Sequence, residues 1–102
     1  MAELRFTNKA VADLTSIWHY TFNTWSERQA DEYYKLLIAA CRKTFTTPLA
    51  KPYDEIAPEL YGIKADHHII FFKRITNEEV LIVRILHERM DVTIHFNETD
   101  LN

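Results

Sequence analysis

Residues 67–88 read HHIIFFKRITNEEVLIVRILHE, and this stretch decides the fold. Two runs rich in β-branched and aromatic residues, 67–76 and 79–88, flank Asn77-Glu78. Such a pattern predicts two antiparallel strands joined by a two-residue turn. With Asn77 and Glu78 as the loop, facing positions sum to 155, so His68 lies opposite His87, Ile70 opposite Ile85, Phe72 opposite Val83 and Arg74 opposite Leu81. That face is apolar at its centre and is expected to receive helices. The other face then holds Ile69, Phe71, Lys73, Ile75, Val80, Ile82, Arg84 and Leu86. A one-residue slip would exchange the two faces. Both are apolar, whereas a sheet covered by helices on one side ordinarily shows a polar second side. The second face is therefore expected to be covered, by a partner chain or by this chain's own N-terminal strand or tail. Arg84 in such a surface needs a carboxylate or a group of carbonyls.

Working outward, residues 60–66 (LYGIKAD) supply a third strand, which makes an antiparallel three-stranded meander at the C-terminal side. Residues 47–59 (TPLAKPYDEIAPE) hold Pro48, Pro52 and Pro58 and read as an irregular connection. Before it, Ser26 and Gln29 form a capping box that starts a helix with the stripe Ala30, Tyr33, Leu37, Ala40/Cys41 and Phe45. Thr46, Thr47 and Pro48 end that helix. Another helix runs from Lys9 to about Trp25, capped by Asn8, with Val11, Leu14, Trp18, Thr21/Phe22 and Trp25 at helical spacing. The two helices abut at Ser26 and predict an antiparallel hairpin. Residues 2–7 (AELRFT) alternate and read as a short strand. The expected fold class is α+β, one domain over 1–102: a short N-terminal strand, a helical hairpin and the meander.

Composition agrees with one soluble domain. The chain has 102 residues, 47% hydrophobic and 26% charged, and its 2 Trp, 5 Tyr and 6 Phe can build a core without a metal or disulfide staple. No apolar run approaches a membrane span, and the charged start MAELRFTNKA does not resemble a signal peptide, so a cytoplasmic location is expected. The net charge of −3 argues against a broad phosphate-binding surface and against sequence-specific nucleic-acid binding. The acid excess is uneven, however. Residues 61–92 carry 5 basic and 5 acidic groups together with His67, His68 and His87.

Chemistry-bearing motifs are few. The single glycine excludes a glycine-rich phosphate loop. The five histidines lack partners at metal-ligand spacing, and adjacent strand residues His67 and His68 point to opposite faces, so neither metal nor cofactor is expected. Cys41 sits on the buried stripe of its helix and reads as a core residue. The distinctive segment runs from Ile82 to Asp91, where an apolar strand ends in Arg84, His87, Glu88, Arg89 and Asp91. Titratable groups at the end of a rigid strand often form a site.

Four motifs in order carry a resemblance: Ala10-x-x-Asp13-Leu14-x-x-Ile17-Trp18-x-Tyr20, Trp25-Ser26-x-x-Gln29-Ala30-x-x-Tyr33, His68-Ile-Ile-Phe-Phe72, and Arg84-Ile-Leu-His87-Glu-Arg89-Met-Asp91. Together they span nearly the whole chain, which resembles the RelE/ParE superfamily of bacterial type II toxins, a group tied to plasmid stabilisation, and in particular its ParE-like branch. The resemblance implies a toxin that binds and inhibits DNA gyrase without covalent chemistry of its own. It also implies neutralisation by a cognate antitoxin, ParD-like or another small protein, whose terminal segment folds on binding. The target-contacting residues it suggests are Lys64, Lys73, Arg84, His87, Arg89 and Asp91. The antitoxin would cover Leu49, Tyr53, Ile56, Ile69, Phe71 and Ile82. RelE-like relatives are instead mRNA endonucleases of the ribosome, and under that alternative His87, Arg84 and Arg89 would be catalytic. Phe96 stands where a catalytic tyrosine could serve, and phenylalanine transfers no proton. Lys64 stands where ParE-like sequences often carry arginine, which forgoes bidentate contact with an acidic group. A degenerate toxin that keeps only antitoxin binding is the third alternative.

Overall fold

A computed structural model describes residues 2–92 and Phe96. In chain order the elements are β1 (Glu3–Phe6), α1 (Asn8–Thr24), α2 (Glu27–Lys43), β2 (Lys51–Pro52), β3 (Tyr61–Ala65), β4 (His68–Thr76) and β5 (Glu79–His87). The sheet order is β1-β5-β4-β3-β2. The meander β3-β4-β5 is present as expected, but it is the middle of a mixed five-stranded sheet. β1 runs parallel to β5, with Leu4 opposite Val80 and Phe6 opposite Ile82, and the two-residue β2 pairs antiparallel with Tyr61 and Gly62 inside the proline-rich connection.

The helix caps follow side-chain chemistry. Ser26 caps α2, its hydroxyl accepting from the Gln29 amide at 3.1 Å. At α1 the cap is Thr7 rather than Asn8. The Thr7 hydroxyl accepts from the Ala10 amide at 3.0 Å and donates to the Val83 carbonyl at 2.7 Å. Thr7 wins because one buried hydroxyl ends the helix and ties it to β5 together. At the other end of α2, Arg74 donates to the carbonyls of Thr44 and Thr47. A cation is favourable there, since the last carbonyls of a helix lack intrahelical partners.

The β4–β5 register is the expected one from His68↔His87 to Phe71↔Arg84. It then slips: Phe72 lies opposite Ile82, Lys73 opposite Leu81 and Arg74 opposite Val80, before Thr76↔Glu79 restores it. Val83 is the extra residue of a β-bulge, and Ile75 is a second one beside the turn. A bulge exchanges the faces of the strand beyond it. Val80 and Ile82 therefore join Ile70, Phe72 and Ile85 in the core under the helices, with Ala10, Leu14, Leu37 and Cys41. Val83 moves to the opposite cluster, with Phe71, Leu86, Ala57 and Leu60. That second face is covered by the chain itself: Tyr53 and Ile56 of the proline-rich connection, Val92 and Phe96 pack on it. Cys41 is buried, and burial pushes its thiol up to about 12, so it stays a protonated core residue.

The buried face of α1 also differs from the expected stripe. Ala10, Leu14 and the half-buried Ile17 point inward, while Val11, Phe22 and Trp25 are exposed.

Candidate functional site

The β3–β4 turn and the end of β5 come together at one end of the sheet. Asp66 takes a left-handed conformation, φ 55°, which turns the chain tightly between Ala65 and His68. Just beyond β5 the Glu88 amide donates to the His67 carbonyl at 2.9 Å. Three imidazoles thus meet. His67 and His87 stack with centroids 6.4 Å apart, and His68 meets His87 edge-on at 5.3 Å. Carboxylates surround them: Glu88 lies 3.5 Å from His67 Nδ1 and 3.8 Å from Lys64 Nζ, and Asp66 lies 3.9 Å from His67 Nε2.

Hydrogen bonds assign the proton positions. His87 Nδ1 accepts from the Arg89 amide at 3.2 Å, which leaves the proton of the neutral ring on Nε2. His68 Nδ1 lies 2.6 Å from the Tyr33 hydroxyl on α2. Burial holds His68 down at about 4, helped by the neighbouring His87 and His67. Burial also raises the Tyr33 phenol. At neutral pH the phenol therefore donates to a neutral imidazole, and this bond joins α2 to β4.

Arg84 has a different role from its neighbours. It donates to Asp13 of α1 through Nε at 2.8 Å and Nη2 at 3.0 Å, and Asp13 also accepts from the Ile85 amide at 3.0 Å. Both side chains are largely buried, at 12% and 15% exposure. The carboxylate that Arg84 requires is thus Asp13, seated on β5 just past the last β1 pair, Phe6↔Ile82. It fastens α1 to the strand.

Of the other sequence-derived target residues, Lys64 and His87 belong to the imidazole end, and the exposed Arg89 and Asp91 follow it. Lys73 lies five residues along β4 from His68, about 17 Å away at strand spacing, and does not join them. Of the suggested antitoxin contacts, Leu49 is exposed and Tyr53, Ile56 and Ile69 are half-buried. Phe71 and Ile82 are fully buried. Phe71 lies under Tyr53 and Phe96, and the Val83 bulge turns Ile82 into the helix-side core. Neither offers a surface to a partner. Among the described residues no group of His, Cys, Asp and Glu is arranged to hold a metal ion, and no helix is long and apolar enough to cross a membrane.

Next to the imidazoles opens a cleft of about 720 Å³ between the helical hairpin and the sheet. Its apolar walls come from Ile17, Tyr20, Trp25, Tyr33, Leu36 and Met90, and His67, His68 and His87 border it. Sequence reading missed the cleft, because Trp25 reads as core. The signal available was the excess of aromatics near the helix junction.

A family model for the ParE toxin of the type II toxin–antitoxin system parDE matches residues 4–92, from β1 to just beyond β5. This chain belongs to the ParE toxin family. It is 36% identical to Toxin ParE1 of Mycobacterium tuberculosis over 85 residues, 81% of this chain and 86% of that protein. It is also 36% identical to Toxin ParE of Escherichia coli over 87 residues, 84% of each. As a ParE-family toxin it shares its fold with the solved chromosomal ParDE toxin–antitoxin system of P. aeruginosa, at TM-score 0.72 and 18% identity over 85% of this chain and 96% of that one. The toxin–antitoxin complex RelBE2 of M. tuberculosis matches less closely, at TM-score 0.57 and 16% identity, over 85% and 98%. The expected superfamily and its ParE-like branch are both borne out.

Proposed function

We propose that this ParE-family toxin acts by binding DNA gyrase rather than by cutting RNA, and that a cognate antitoxin holds it in check. The observation that carries the choice is the state of Arg84. A nuclease site needs cations converging on phosphate charge that develops in the transition state. Here Arg84 is engaged by Asp13, Lys64 lies beside Glu88, and Lys73 stands apart. The carboxylates Asp66 and Glu88 at the imidazole end repel a phosphate backbone, whereas they suit contact with a protein. Phe96 packs against Phe71 and has no proton to transfer.

Under this reading the target-contacting end consists of Lys64, His87, Arg89 and Asp91, with Arg84 supporting it from behind. The antitoxin, by analogy with the ParDE and RelBE complexes, covers apolar surface around Leu49, Tyr53, Ile56 and Ile69. Action on gyrase places the chain in the cytoplasm.

The test mixes purified, antitoxin-free toxin with gyrase, ATP and relaxed plasmid. Loss of supercoiling with accumulation of linear, protein-linked DNA is expected, and Arg89→Ala is expected to abolish it while leaving the chain folded. Normal supercoiling by a toxin that still arrests growth would refute gyrase as target. In that case ribosome-dependent mRNA cleavage that depends on His87 is the next assay, since an imidazole can serve as a general acid or base. No growth arrest at all would point to a degenerate toxin.

A further inference from the structure

Three successive backbone amides tie the turn that leaves β5. The Glu88 amide donates to the His67 carbonyl at 2.9 Å, and the Met90 amide donates to the His87 carbonyl at 3.0 Å. The middle amide, that of Arg89, donates instead to Nδ1 of the His87 ring at 3.2 Å. A carbonyl accepts at any pH. An imidazole that takes a second proton becomes a donor at both nitrogens and accepts nothing. Two N–H groups then face each other where one hydrogen bond stood. Neighbouring rings hold the imidazole in place: His68 of β4 meets it edge-on at 5.3 Å, and His67 stacks on it at 6.4 Å. The arrangement has the form of an Asx turn, in which a side-chain acceptor bonds the amide two residues on. Here a ring that ionises stands where an Asx turn has an amide or carboxylate oxygen.

We propose that His87 is a positioning residue for Arg89: its neutral ring fixes the turn that presents Arg89 to the target, and a second proton on the ring releases that turn. This rests on the reading above that Arg89 contacts the target. A turn ordered beforehand spares the entropy of ordering it on binding. The groups around the ring set the pH at which the proton arrives, not the bond that it breaks. Asp66 and Glu88 favour a cation there, as does Glu32 of α2 across the cleft, while Lys64, Arg89 and a charged His67 oppose it. His68 answers to Asp13 of α1 as well as to its neighbours, but burial holds it down at about 4, and its Nδ1 takes the Tyr33 hydroxyl. Ordinary imidazoles change charge between about pH 5 and 8. Over that range the bond between α2 and β4 holds while the end of β5 responds.

The test follows the Arg89 amide of the intact chain by NMR from about pH 8 to about pH 5. Its shift is expected to move with the same midpoint as the His87 ring, while the Glu88 and Met90 amides stay bonded. His87→Asn keeps an acceptor that does not titrate, and should hold the Arg89 amide throughout. His87→Phe keeps a ring beside His67 and His68 but accepts nothing, and should show the released turn at every pH. Circular dichroism checks that both variants fold. In the parent, acidification should weaken binding to gyrase about two- to tenfold, the range that one hydrogen bond spans. That loss should persist in His67→Asn and vanish in His87→Asn. Growth arrest should rank His87→Asn above His87→Phe. An Arg89 amide indifferent to the His87 titration would overturn the inference, as would an acid loss that survives in His87→Asn. Equal loss of growth arrest in the two variants would overturn it too, since it marks His87 as a direct contact. The amide and the growth-arrest ranking need no gyrase, so absence of gyrase binding refutes the target and leaves these results to decide the role of His87.

Discussion

Replacing Asp13 by alanine strands three donors at once: two from the Arg84 guanidinium and the amide of Ile85. The guanidinium is largely buried, so water replaces the lost carboxylate poorly. Breaking a buried pair by removing one partner costs about 3–5 kcal/mol. The stability of a whole small domain is roughly 5–15 kcal/mol, so Asp13→Ala should remove a large part of it. Asp13→Asn keeps an acceptor for Ile85 and should lose less, about 2 kcal/mol. Asp13→Leu combined with Arg84→Met removes both charges. Its cost should fall well short of the sum of the single changes, with a coupling of about 2 kcal/mol or more. Urea unfolding of the parent, Asp13→Leu, Arg84→Met and the double variant measures the coupling directly, with Asp13→Ala and Asp13→Asn unfolded alongside. The same set separates a fastening role from a contacting one, because the double variant, still folded, should arrest growth if Arg84 only positions α1. An Asp13→Ala protein as stable as the parent would refute the reasoning. So would a stable double variant that has lost growth arrest.

Other expectations are more local. Thr7→Ala should cost about 1–2 kcal/mol in thermal unfolding, because the cap and the bond to Val83 go together, while Asn8→Ala should change little. A Cβ at Gly62 would stand 2.7 Å from the Tyr53 ring and 3.1 Å from Ile69, so Gly62→Ala should destabilise by about 1–3 kcal/mol, and most of that cost should vanish in a Tyr53→Ala background. His68 is held at about 4 in the folded chain against 6.5 when free. The unfolded chain therefore binds more protons between those values, and stability should fall as pH drops through that window and level off below it. The unscreened shift is worth about 3 kcal/mol, and solvent around a half-buried ring reduces it to about 1–2 kcal/mol. Denaturation at pH steps across the window, with His68→Phe flattening the curve, checks this.

What sequence reading captured was local. Ser26 with Gln29 marks a helix start, and Asn77-Glu78 marks a turn, because each pattern lies within a few residues of what it determines. The parallel pairing of β1 on β5 joins residues far apart in the chain, and a lone alternating segment does not name its partner. The Val83 bulge is hidden for another reason. The run from Val80 to Val83 is apolar at every position, so either choice of face reads equally well, and Ile82 and Val83 exchange roles without a trace in the pattern. Arg84 demanded an acid, but the chain offers fifteen, and only the packing of α1 on β5 selects Asp13. The aromatics near the helix junction did not reveal the cleft, because an exposed Trp25 and a buried one look alike in sequence.

The pairing of β1 with β5 bears on when the folded toxin comes into being. β1 and the Asp13 end of α1 bond to residues 79–85, so they have no place to dock until those residues are made. At roughly 5–20 residues per second, a nascent chain carries its first strand unpaired for about 4–15 s. The meander that assembles His67, His68 and His87 is completed by the same residues. A partly translated toxin therefore lacks both its scaffold and its imidazole end. Such a chain acquires its folded surface only when β5 is in place, and that is also the earliest moment at which an antitoxin has a finished surface to meet.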